Sequence, residues 1–160
     1  MSDVYLVPDE PVPSRWNHLA VSPNAPLLGA MLCGAWIAWP WFAFNAIAIG
    51  SPTRKKEVTW AAVGAAGTVV LAAVIAALLA GGYLESRTAK QFAVLGVVTW
   101  KLSLCYYLCS VQSRTFEVYR YYGGVVRSAT YVLAIGFYAR RIMLGMTEDP
   151  FWIIILLGGV

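Results

Sequence analysis

The sequence predicts an all-α fold: a polytopic helical membrane protein with four transmembrane helices and a short C-terminal apolar half-helix. Three observations lead there. Of the 160 residues, 59% are apolar and only 12% are charged, whereas soluble domains carry roughly 45–50% and 25%. The mean hydropathy is +0.64. Apolar runs long enough for a ~30 Å hydrocarbon core alternate with short polar connectors. A soluble domain of this length could not cover its surface with so few charges. The same composition excludes intrinsic disorder and a disulfide-stapled secreted module. The net charge of +4 comes from basic residues that flank apolar runs. They read as membrane anchors rather than as a nucleic-acid-binding surface.

Residues 1–25 form a polar tail containing Pro8, Pro11, Pro13 and Pro23. With no basic start and no apolar run, the tail does not read as a secretory signal. Residues 26–50, charge-free, amount to roughly 37 Å of helix, enough to span with tilt. Pro40 removes a backbone donor inside this run and predicts a kink there. Ser51-Pro52-Thr53-Arg54-Lys55-Lys56 ends it in the headgroups.

Residues 58–84 form the second span, dominated by Ala and Gly. Ala72, Ala76 and Ala80 fall four apart, as do Ala30, Gly34 and Ala38 in the first span. Such stripes let helix backbones approach closely, so the two spans are expected to pair as an antiparallel hairpin. Asn45 is expected to hydrogen-bond between helices. Residues 92–111 form the third span, with an amphipathic stretch over 112–120 that extends it into the interface. Gly123-Gly124 breaks the pattern, and 121–139 gives a fourth, shorter span closed by Arg140-Arg141. Asp149 and Pro150 then look like a helix start. The apolar segment 151–160 covers only about 15 Å as helix, and is expected in the interface or against another protein surface. The domains are thus the 1–25 tail and one helical membrane domain, 26–160.

The chemical inventory is short. His18 is the single histidine, and Cys33, Cys105 and Cys109 all lie in apolar runs. A zinc or iron site needs several clustered ligands, so no metal is expected. Phosphate-binding glycine loops, nucleophile elbows and zinc-protease patterns are absent, so neither catalytic residues nor a cofactor are expected. The carboxylates Glu57, Glu85, Glu117, Glu148 and Asp149 sit at span ends or outside them, which counts against a proton relay.

Lys101, near the middle of its span, needs an explanation, because a lysine at that depth costs about 2.5–3.5 kcal/mol on insertion scales. On a helix it shares a stripe with Cys105, Leu108 or Cys109, and Gln112. Two readings stand: a lysine facing a pore or cavity, or one hydrogen-bonded inside the bundle. Arg127, two turns into the fourth span, is either an anchor or a second pore- or partner-facing residue. Trp36, Trp39 and Trp41 around Pro40 are either packing around a kink, the wall of a site for a lipid, quinone or pigment, or a docking surface for another membrane subunit.

The expected function is that of a non-enzymatic multi-pass subunit, an accessory or scaffolding part of a membrane complex or homo-oligomer. The alternative is a small oligomeric channel lined by the Lys101 face. The expected partners are the lipid bilayer and other membrane subunits or further copies of the chain, with no nucleic acid. The expected location is a bacterial cytoplasmic (inner) membrane, with the 51–57 loop inside and the N-terminal tail outside.

Overall fold

The computed structural model describes residues 14–156. Asp3, Asp9, Glu10 and the rest of the tail before Ser14 lie outside the described residues, as do residues 157–160 of the C-terminal segment. Among the described residues the chain is all-α, with no strand. A 3₁₀ turn, Asn17–Leu19, precedes six α-helices: α1 Asn24–Leu32, α2 Ala35–Ile49, α3 Arg54–Ala80, α4 Arg87–Tyr121, α5 Thr130–Met146 and α6 Pro150–Leu156. By length and composition, α3 and α4 are long and apolar enough to cross a membrane.

The run 26–50 departs most from expectation. It is two helices, and the break falls at Gly34 rather than at Pro40, which α2 absorbs in its interior. Gly34 has φ 100° and ψ 175°, a conformation essentially confined to glycine. The chain reverses there. Ala30 of α1 packs with Ala38 of α2. Val21, ahead of α1, donates its N–H to Asn45 Oδ1 near the end of α2 at 3.1 Å, and Ser14 Oγ donates to Ala48 O. So α1 and α2 form an antiparallel hairpin that returns to its starting end, and residues 14–21 lie at the same end of the bundle as the 51–57 loop. The expectation of one helix over 26–50 is corrected by this turn. Hydropathy cannot distinguish a crossing from a return, because both bury the same apolar side chains.

α3 and α4 run antiparallel beside the hairpin. Trp100 of α4 donates Nε1–H to Gly64 O at 3.4 Å, and Trp60 meets Tyr107 edge-on at 5.7 Å. α4 absorbs 112–120 and continues to Tyr121, ended by Gly123 at φ 79°. The segment that follows is not helical. Arg127 N–H donates to Ala20 O at 2.9 Å, and Val21 and Arg127 form an isolated parallel bridge. The helix expected over 121–139 runs instead over Thr130–Met146, with Arg127 exposed in the connector ahead of it; among the described residues two helices, not the expected four, are long and apolar enough to be spans.

α6 begins as the sequence indicates, with Phe151 N–H on Asp149 Oδ1 at 2.8 Å. It does not lie apart from the bundle. Ile154 and Ile155 are buried in a cluster with Ala72, Ile75 and Val97. Its cover comes in part from its own chain rather than from another protein: Ile154, Ile155 and Leu156 are buried, while Trp152 stays exposed. Its last described carbonyl, Leu156 O, would stand 2.6 Å from a Cβ at Gly34. The hairpin tip and the end of α6, approaching from opposite ends, thus meet about half-way along α3.

Candidate functional site

The buried face of α4 carries Val97, Lys101, Cys105, Leu108, Cys109, Gln112, Phe116 and Tyr119. Three sequence candidates, Lys101, Cys105 and Gln112, therefore share one face, turned toward the hairpin. Lys101 is 1% exposed and Gln112 also 1%. The fourth, Arg127, stands apart at the end of the bundle, with Nε–H on His18 O at 3.2 Å.

Gln112 is held from both sides. Its Oε1 accepts from Asn45 Nδ2 at 3.1 Å, and its Nε2 donates to Phe42 O at 2.9 Å. Asn45 accepts in turn from Val21 N–H. This chain of bonds ties the strand-like segment before α1 to α2 and α4. Each buried amide would leave orphaned groups if its partner were removed, which makes the pair obligatory together. Tyr119 adds a further tie, its hydroxyl within 3.1 Å of both Asn17 O and Val125 O.

Around Lys101 lie the two tips. Arg140 of α5, within Coulombic reach of Lys101, donates Nη1–H to Leu32 O at 2.7 Å. Trp36 donates Nε1–H to Cys33 O at 2.7 Å. Two side chains thereby satisfy the carbonyls left over where α1 ends, the accounting that non-helical backbone deep in an apolar bundle requires. Cys33 Sγ donates to Leu133 O at 3.5 Å, and Cys109 Sγ lies 3.4 Å from Asn24 Oδ1. The cysteines act as packing groups with weak polar contacts.

The tryptophans serve three different surfaces. Trp36 closes the hairpin tip, Trp39 lies over Gly64 of α3, and Trp41 lies over Gly29 of α1. The small-residue stripes divide likewise. Ala30, Gly34, Ala38 and Ala72 are buried, Ala76 is half-buried and Ala80 is exposed. The buried face of α3 is instead Glu57, Ala61, Gly64, Thr68, Ala72 and Ile75.

Glu57 escaped sequence reasoning. It sits in the first turn of α3 and is 1% exposed. Its Oε1 accepts from Thr53 Oγ1 at 2.6 Å and from Ser51 Oγ. The signal was present in Ser51-Pro52-Thr53, hydroxyls placed just ahead of a helix that carries an acid in its first turn. By position alone it read as a span-end carboxylate.

No family model, curated protein or solved structure matches this chain.

Proposed function

We propose that this chain is a non-enzymatic multi-pass subunit of a membrane complex or homo-oligomer, in a bacterial cytoplasmic membrane. The observation that carries it is the direction of its side chains. Val70, Val74, Phe92, Leu95, Ile135 and Ile142 are each at least half exposed on α3, α4 and α5, while Asn45, Glu57, Lys101 and Gln112 are buried. A soluble monomer does not present an apolar surface of that extent. In this reading α3, α4 and α5 cross the bilayer, and the α1–α2 hairpin and α6 enter from opposite sides without crossing.

The end bearing Arg15, Arg54, Lys55, Lys56, Arg114, Arg120 and Arg127 outweighs the other in basic residues, so it faces the cytoplasm. The described part of the tail lies on that side too. Single cysteines at Arg15 and Lys55 should both resist an impermeant maleimide in intact cells; labelling of either from outside overturns the topology. Purification in mild detergent tests the subunit reading, which predicts a stoichiometric assembly. A monodisperse monomer in native membranes would refute it.

The meeting of two non-crossing elements beside Lys101 favours a second reading, a permeation pathway at the junction. Non-helical backbone at depth is tolerated where protein buries it or where it lines water. Lys101→Met decides between them: anion flux through proteoliposomes falls if the junction conducts, and assembly alone changes if it does not.

A further inference from the structure

We propose that the groove between the α2–α3 turn and α4 is a binding site for an anionic phospholipid of the surrounding leaflet; this rests on the membrane reading above. The groove has a volume of 630 Å³ and is lined by Pro52 and Thr53 on one side and by Tyr107, Ser110, Val111, Arg114, Thr115 and Val118 of α4 on the other. Its polar groups and its apolar groups each match one part of such a lipid.

The polar part is a phosphate receptor. Arg114 is exposed and makes no hydrogen bond or ion pair among the described residues. Its planar fork suits phosphate oxygens. Ser110, one turn earlier on the same helix, and Thr115, the next residue, add hydroxyls. Across the groove lies the first turn of α3, with Arg54, Lys55 and Lys56 exposed on it.

The sign of the groove follows from where the nearest acid points. Glu57 belongs to that same first turn, yet its carboxylate is buried onto Ser51 and Thr53. Glu117, exposed three residues after Arg114, does not line the groove. Arg114 is the charged group of the lining, and with Arg54, Lys55 and Lys56 beside it outweighs the buried Glu57 carboxylate behind Thr53, which favours a net-negative headgroup over a zwitterionic one.

The apolar part is an acyl-chain track. Trp60 and Tyr107 pair edge-on at the groove's inner end, and both are at least 40% exposed. Such rings mark the headgroup boundary. Beyond them Val63, Val70 and Val74 are exposed on α3. At helical spacing they continue the face of Trp60, away from the charged end. A headgroup bound at Arg114 thus leaves its chains on an apolar valley between α3 and α4.

The test uses the full chain reconstituted in phosphatidylcholine vesicles doped with spin-labelled phosphatidylglycerol or spin-labelled phosphatidylcholine. The motionally restricted fraction of each probe is read by electron paramagnetic resonance. Wild type should favour phosphatidylglycerol about fivefold, the scale of one well-placed basic residue. Arg114→Gln should remove most of that preference. Arg114→Lys should keep much of it, and Arg87→Gln, an equal loss of charge at the far end, should keep all of it. Equal restriction of both probes by wild type, or an unchanged preference in Arg114→Gln, overturns the proposal. So does displacement of the probe by millimolar inorganic phosphate, which would reassign the groove to a free anion. Flotation of the proteoliposomes is the separate control: a chain that fails to float with lipid refutes the membrane reading, whereas one that floats without preference refutes this site alone.

Discussion

The two halves of this bundle are held by different forces. The half containing residues 17–21, Asn45, Gln112 and Tyr119 is knit by side-chain hydrogen bonds that link segments far apart in sequence. The half around α6 leans more on shape, with Ile154 and Ile155 among Ala72, Ile75 and Val97 and a carbonyl set against a glycine turn, although Arg140 and Cys33 add hydrogen bonds at that turn. Directional bonds specify one arrangement and tolerate modest changes in volume. Shape packing has the opposite sensitivity, because an interior at native density has no room for an added methyl.

That contrast can be broken first at Gly34. Gly34→Ala asks an L residue to adopt φ 100° and drives its Cβ into the Leu156 backbone. A loss of about 3 kcal/mol or more is expected, read as reversible unfolding in mild detergent. A wild-type midpoint would mean that the hairpin tip is not the turn described. Next comes Gly64→Ala, where the new methyl would meet the Trp39 ring, itself buried. Overpacking should outweigh the gain in helix propensity, for a net loss of about 2 kcal/mol. A stabilised variant would show that Trp39 is free to move.

On the hydrogen-bonded side the expected effects are smaller. Gln112→Leu leaves Asn45 Nδ2 without its acceptor and should cost about 1–2 kcal/mol. Combined with Asn45→Leu, the double variant should recover about 1 kcal/mol relative to the sum, since the pair is then removed together. Strict additivity would mean that the two amides do not interact. The smallest effect belongs to Ala76→Leu. Ala76 is only half-buried, so the change should stay within about 0.5 kcal/mol. A loss as large as that of Gly64→Ala would restore the Ala72–Ala76–Ala80 stripe as a packing surface.

The same contrast explains what could be read from residue order. The all-helical class, the helix start at Asp149, and the shared face of Lys101, Cys105 and Gln112 follow from composition, capping chemistry and helical spacing. So does the interhelical role of Asn45, although its partner does not. The return of the first apolar run was hidden because Pro40, the expected breaker, sits within a helix that continues past it, while the true break is a glycine inside a small-residue stripe that reads as a contact surface. In α3, Ala76 and Ala80 have the right spacing, but it is Gly64 and Gly67, under the rings of Trp39 and Trp100, that take up the close approach. Small residues matter here where a large neighbour needs the space. That complementarity lies between chain segments and is absent from either one alone.

The hairpin tip also has a consequence for biogenesis. α1 has nine residues, about 13 Å of helix, too short to be held across a bilayer on its own. The hairpin precedes α3 along the chain, so it leaves the ribosome before the surfaces of α3 and α4 that cover Asn45, Ala38 and Phe42. Until α4 arrives, Asn45 lacks Gln112, and the carbonyl of Leu32 waits longer still for Arg140. The hairpin's buried polar groups therefore gain their partners out of chain order: Asn45 is satisfied only once α4 has been made, Leu32 O only once α5 has, and α6 follows both in the chain.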